Sequence, residues 1–146
     1  IMNNKKFTLL IVEDDDVDYF SIKRSLVKLG IENTLVRAKD GQYALDLLHN
    51  GAVTSPFIIL LDIQMPRMNG FEFLQRLRKS ENISSSIVFM LTTSKSEADI
   101  KACYEHNVAG YFIKENTGEE FLKIVDLLEG YWKMVHFPKI NTEQLQ

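Results

Sequence analysis

The sequence predicts an α/β fold, a five-stranded parallel sheet with helices on both faces. Three observations predict it. Apolar runs without alternation, such as Phe57-Ile58-Ile59-Leu60-Leu61 and Ile87-Val88-Phe89-Met90-Leu91, read as strands buried on both sides. Segments of helical periodicity separate these runs, so strand and helix alternate five times along the chain. The strand-like runs also end on charged or hydroxyl residues, which a parallel sheet would gather on one rim.

The elements follow in order. Phe7-Thr8-Leu9-Leu10-Ile11-Val12 is apolar and β-branched and ends in Glu13-Asp14-Asp15-Asp16, a buried first strand with an acidic rim. After Asp16, Tyr19 or Phe20, Ile22, Leu26 and Leu29 recur at helical spacing, and Gly30 stops the helix. Residues 34–38 form a short second strand. A helix from Asp40 turns Ala44, Leu45, Leu47 and Leu48 inward until Asn50-Gly51 ends it. The third strand closes on Asp62, where Pro66, Asn69 and Gly70 break regular structure and open a loop. A third helix after Gly70 carries Phe71, Leu74 and Leu77 inward and places Arg76, Arg78 and Lys79 in its last turn, where cations suit the helix dipole. The fourth strand ends on Thr92. Ser96 caps a helix running through His106 with Ile100, Cys103 and Tyr104 as its pattern, and Gly110-Tyr111-Phe112-Ile113 is a fifth strand ending on Lys114. A long last helix is expected over residues 119–134, followed by an apolar extension with Tyr131, Trp132, Val135 and Phe137.

A chain of 146 residues suits one domain across 1–146, with a core over about residues 6–130. Its 17 basic and 20 acidic residues give a net charge of −3 without a basic run, which argues against nucleic acid as a partner. No apolar stretch approaches the roughly 20 residues that span a bilayer, and the opening residues lack the apolar core of a signal peptide. The expectation is a cytoplasmic protein with no membrane contact. The lone cysteine, Cys103, fits a reducing compartment and reads as a packing residue.

Taken singly, each rim residue is ordinary: Asp62 as a helix cap, residues 14–18 as a solvated acidic turn, Thr92 as a strand residue, Lys114 as a surface cation. Their joint placement is not. Carboxylates of Glu13, Asp14 and Asp62 held close would repel, and a raised pKa or a bound cation relieves that. An oxygen-only set suits Mg²⁺. Lys114 brings a positive charge and Thr92 a hydroxyl donor, both suited to phosphoryl oxygens. The chemistry this points to is phosphoryl transfer onto Asp62 as nucleophile.

At these residues the chain resembles the receiver domain of bacterial two-component response regulators, with its flavodoxin-like (βα)5 fold. The matching motifs are Ile11-Val12-Glu13-Asp14-Asp15, the run Leu60-Leu61-Asp62-Ile63-Gln64-Met65-Pro66-Arg67-Met68-Asn69-Gly70, Leu91-Thr92-Thr93 and Gly110-Tyr111-Phe112-Ile113-Lys114. The intervals of 30 residues from Asp62 to Thr92 and 22 from Thr92 to Lys114 match as well. The resemblance implies that Asp62 accepts a phosphoryl group from a sensor histidine kinase or a histidine phosphotransfer protein. It implies that Glu13, Asp14, Asp62 and the main-chain carbonyl of Gln64 hold Mg²⁺, and that Thr92 and Lys114 bind phosphoryl oxygens. Thr92 and Tyr111 would form the switch that alters the face of helix four, strand five and helix five. The protein would then be a signalling acceptor, not a turnover enzyme, with a second copy of the chain among its partners. The ending resembles the stand-alone receivers that partner phytochrome kinases. One departure is Glu115, which follows Lys114 where the family pattern has proline.

Two other readings compete. Asp14-x-Asp16-Val17 resembles the nucleophile motif of haloacid-dehalogenase-like phosphatases, although the later acidic pair and cap domain of that family are missing. A degenerate receiver would bind partners without phosphorylation, which a lost acceptor or metal pair would signal; here both are present.

Overall fold

The structure is a computed structural model that describes residues 7–28 and 30–114. Five parallel strands, β1 (Thr8–Val12), β2 (Leu35–Ala38), β3 (Phe57–Leu61), β4 (Ile87–Thr92) and β5 (Gly110–Ile113), form one sheet in the order β2-β1-β3-β4-β5. Helices α1 (Asp16–Lys28), α2 (Gly41–His49), α3 (Gly70–Lys79) and α4 (Glu97–Glu105) connect them. The expected last helix and its apolar extension lie outside the described residues, as does Glu115.

The period of two along each strand splits the core into two layers. Leu9, Ile11, Ile58, Leu60, Phe89 and Leu91 face α1, where they meet Tyr19, Ile22 and Leu26. Leu10, Val12, Ile59, Leu61, Val88 and Met90 face the other way, against Ala44 and Leu48 of α2, Phe73, Leu74 and Leu77 of α3 and Cys103 of α4. A strand sandwiched in this way has no polar face to present, which is why these runs do not alternate. Cys103 is fully buried, and burial, with Asp99 nearby, pushes its thiol up to about 11, the inert behaviour of a packing residue.

Of the two alternatives in α1, the core takes Tyr19 and leaves Phe20 half exposed. Two expectations about which side chains turn inward are corrected. In α3 the fully buried aromatic is Phe73, with Phe71 only partly covered. In α4 Tyr104 is 49% exposed, and Cys103 alone of its pattern is buried. These helices have ten or so residues, so a shift of one residue on the helical wheel, about 100°, still leaves a plausible apolar stripe. The sheet, not the helix pattern, selects the face.

The order β2-β1-β3 means that the chain leaves β1 to one side and returns on the other. The β1–α1 and β3–α3 loops therefore open side by side at the switch point of the sheet. Two devices fix the second loop. Asn69 and Glu72 form a capping box at the start of α3, with Asn69 Oδ1 accepting the Glu72 N–H at 2.9 Å, so Asp62 is not the cap of that helix. Gly70 donates its N–H to the Ile63 carbonyl at 2.8 Å, and a Cβ there would stand 2.6 Å from the Asp62 carbonyl oxygen. Only glycine lets α3 start so close to the residue that ends β3.

At the opposite rim Arg78 of α3 clamps two turns. Its guanidinium donates to the carbonyls of Ser84 (2.8 Å) and Ser86 (2.7 Å) before β4 and of His106 (2.8 Å) and Asn107 (2.9 Å) after α4. Among the described residues no helix is long and apolar enough to cross a membrane.

Candidate functional site: an acidic cluster at the sheet switch point

Glu13, Asp14 and Asp62 each offer a carboxylate oxygen within 4.8 Å of the others, at the adjacent ends of β1 and β3. Register explains this: Val12 pairs with Leu61, and the Asp62 N–H donates to the Val12 carbonyl at 3.1 Å, so the next residue on each strand reaches the same rim. Glu13 is 1% and Asp62 5% exposed, while Asp14 is half-buried. Carboxylates this dry are costly unless paired.

Lys114, the residue after β5, supplies the pairing. Its Nζ lies 2.6 Å from Glu13 Oε1, 2.7 Å from Asp18 Oδ2 and 3.4 Å from Asp62 Oδ2. Burial opposes the ammonium charge, but the contacts with Asp18, Glu13 and Asp62 outweigh it and hold the lysine above its ordinary range. The carboxyls move the same way for a different reason. Burial, reinforced by the neighbouring Asp62 charge, pushes Glu13 up to about 7, against the pull of Lys114 and the Asp15 N–H. Burial likewise raises Asp62, countered by Lys114, by a hydrogen bond with Glu13 and by the Gln64 main-chain N–H. One lysine does not neutralise this group. An oxygen-only set with a negative excess and two dry members fits a hard divalent cation.

Thr92 ends β4 and is fully buried, its Oγ1 accepting the Ser94 N–H at 3.3 Å. Tyr111 of β5 donates its hydroxyl to the Ser94 carbonyl at 2.8 Å, and Ser94 Oγ donates to Asp99 at 2.6 Å, which ties the β4–α4 turn to both β5 and α4. The described contact of Gln64 with the cluster runs through its N–H.

The acidic turn that follows β1 divides its members. Asp15 is the cap of α1, its Oδ1 accepting the Asp18 N–H at 3.0 Å. Asp16 pairs with Arg37 of β2 at 2.7 Å and with Lys39 at 3.7 Å, outside the three-carboxylate group, which removes the geometry a phosphatase-type nucleophile pair would need. Two residues not singled out in the sequence join the site: Asp18, on Lys114, and Arg37, whose Nε and Nη2 each donate to the Glu13 carbonyl at 3.2 Å while its guanidinium lies 4.4 Å from the Tyr19 ring centre. Asp18 carried no signal of its own, since it stands in the same acidic turn as Asp14, Asp15 and Asp16. Arg37 did carry one, as a lone cation in an otherwise apolar strand.

A family model described as "Response regulator receiver domain" matches residues 9–126. The chain belongs to the response regulator receiver domain family. The receiver domain is 34% identical over 129 residues to the probable methanogenesis regulatory protein FilR2 of Methanothrix harundinacea, covering 86% of this chain and 83% of that protein. It is 29% identical over 134 residues to the response regulator Rcp1 of Synechocystis, covering 89% and 91%. Among solved structures, a two-component response regulator from Legionella pneumophila superposes with a TM-score of 0.74 at 32% identity, covering 86% of this receiver and 99% of that chain. The Mn²⁺-bound form of Rcp1 gives 0.72 at 30% identity, covering 92% and 100%.

Proposed function

We propose that this receiver is a phosphoryl acceptor in a two-component relay and that Asp62 takes the group from a phosphohistidine of a sensor kinase or a histidine phosphotransfer protein. The observation that carries this reading is the ammonium of Lys114, 3.4 Å from Asp62 Oδ2, beside a carboxylate group at the end of the central strand. In the transfer, an Asp62 carboxylate oxygen attacks phosphorus; the new P–O bond forms as the donor's P–N bond breaks, and the imidazole nitrogen leaves with the electron pair. The nucleophile must be ionised. Burial raises its pKa, and Lys114 and the Gln64 N–H act against that rise in favour of the ionised form. The ammonium of Lys114 and the hydroxyl of Thr92, from the ends of β5 and β4, are placed to meet phosphoryl oxygens.

Glu13, Asp14, Asp62 and the Gln64 main-chain carbonyl would hold Mg²⁺, which when bound offsets the charge of the carboxylates and of the incoming group. The buried, net negative oxygen set supports this, as does the Mn²⁺-bound form of the related Rcp1. The protein works on itself once per signal and turns over no separate substrate. Its output runs through Thr92 and Tyr111: the link from Tyr111 through Ser94 to Asp99 couples the rim to the face of α4 and β5, where a kinase or a second copy would dock. Its place is the cytoplasm, where such kinases present their phosphohistidine.

Incubation with acetyl phosphate and Mg²⁺, followed by mapping of the adduct by mass spectrometry after borohydride trapping, tests the acceptor. Wild type is expected to label at Asp62, and Asp62→Asn, nearly isosteric, to keep its fold and lose the label. Near wild-type labelling of Asp62→Asn would move the acceptor elsewhere.

A further inference from the structure

Among the described residues, three carboxylates of two kinds hold Lys114. Glu13 and Asp62 belong to the metal-competent group, and both change state in the proposed reaction: one is drawn to the cation and the other becomes an acyl phosphate. Asp18 does neither. It stands outside that group, 2.7 Å from the ammonium, on a backbone fixed by the Asp15 cap at 3.0 Å and followed by Tyr19, which is anchored in the core. Its side chain is 41% exposed, so it escapes the burial that falls on Glu13.

From this geometry we infer that Asp18 is a positioning residue for Lys114. A lysine ends in a point charge on a flexible stem, and its effect on a transferring group depends on where that charge is held. When metal and phosphoryl engage Glu13 and Asp62, the contact with Asp18 is the one of the three that stays unchanged. It tethers the ammonium at the rim, where the incoming oxygens arrive. Lys114 remains protonated throughout, and Asp18 touches no reacting atom. This inference rests on Asp62 being the acceptor.

The test is a cycle of labelling rates with acetyl phosphate and Mg²⁺. Asp18→Asn, which keeps shape and removes charge, is expected to slow labelling of Asp62 about tenfold, and Asp18→Glu to stay within about threefold of wild type. In a Lys114→Met background, Asp18→Asn should change the rate by less than twofold, because the partner it acts through is gone. The ¹⁵N-detected Lys114 ammonium resonance, sharp in the unphosphorylated wild type, should broaden in Asp18→Asn and return in Asp18→Glu, which a purely structural role for Asp18 would not produce. Labelling of Asp18→Asn within twofold of wild type, or equal slowing with and without Lys114, overturns the tether while leaving the acceptor in place. A wild-type protein that does not label at Asp62 overturns the acceptor reading itself.

Discussion

The acidic turn after β1 is held from two sides, and the principal cations of the two, Arg37 and Lys114, are not alike. On one flank Arg37, from β2 at the edge of the sheet, gives its hydrogen bonds to main-chain carbonyls of Glu13 and Asp14, lies over the Tyr19 ring, and meets a carboxylate, Asp16, that is mostly in water. On the other flank Lys114, from β5 at the far edge, meets carboxylates, two of them dry. Main-chain carbonyls stay neutral acceptors at any ordinary pH, whereas carboxylates can be protonated, coordinated or esterified. The Arg37 flank is therefore a fixed brace and the Lys114 flank an adjustable one. A guanidinium, planar and always charged, suits the first, and a compact ammonium on a long stem suits the second.

The largest effect should come from breaking the adjustable flank. Lys114→Met leaves Glu13 and Asp62 dry and unpaired, with an expected loss of about 3 kcal/mol in denaturant unfolding at pH 7. Labelling of Asp62 should fall by about 10²–10³-fold, the usual result of removing one donor to a charge that develops in the transition state. A labelling rate within threefold of wild type would show that the ammonium plays no part in the transfer.

The pH dependence separates the flanks by sign. Glu13 is raised to about 7 from 4.5, so between those values the folded state binds more protons than the unfolded one, and stability falls as pH rises through that window. In EDTA the expected fall from pH 5 to pH 7.5 is about 2 kcal/mol, less than the whole shift because Asp62 and Lys114 share the titration. Mg²⁺ should flatten that slope in wild type and not in Asp14→Ala. Asp16, lowered first by its hydrogen bond from Arg37 and then by the charges of Lys39 and Arg37, behaves the other way. Its contribution is present at neutral pH and is lost as the pH drops below the ordinary aspartate value near 3.8. A flat metal-free stability curve from pH 5 to 7.5 would mean that Glu13 is ionised throughout.

Breaking the fixed brace should cost less and in a different currency. Arg37→Met is expected to lower stability by about 1–2 kcal/mol through the carbonyls it leaves to water, with labelling changed by less than threefold. A larger loss of labelling than of stability would make Arg37 part of the chemistry. The smallest effect belongs to a third cation of the same rim, exposed Arg67, whose backbone sits at φ +67° in the loop after Asp62. Arg67→Gly relieves that conformation at the cost of a looser unfolded chain, for a net gain of about 0.5 kcal/mol, seen as a slightly higher melting temperature with unchanged labelling.

How much of this was legible in the sequence depended on which side chains face a sheet. The strands were legible because a strand covered on both sides must be apolar at every position, and the fifth was placed at Gly110–Ile113 as the structure has it. Inward faces of the short helices were less so, as Phe73 and Tyr104 show. In the site, Glu13, Asp14 and Asp62 could be found together because each ends a strand on the same rim. Asp18 could not be told from its neighbours. Asp15, Asp16 and Asp18 are the same residue type in one helical turn, yet one caps, one meets Arg37 and one meets Lys114. What separates them is the position of cations on two distant strands, 19 and 96 residues away from Asp18, which no local pattern carries.

The clamp that Arg78 makes at the far rim bears on how a signal would leave the molecule. It fastens the carbonyls of His106 and Asn107, at the C-terminal end of α4, to α3. The other end of α4 begins beside Ser94, whose bonds to Tyr111 and Asp99 join side chains that can change rotamer. The helix is thus a lever pinned at one end, nine residues or about 13 Å long. A tilt of 5° about the pinned end displaces the free end by about 1 Å, a side-chain-sized step. Amplification of this kind needs no melting of the helix and no sliding of the sheet.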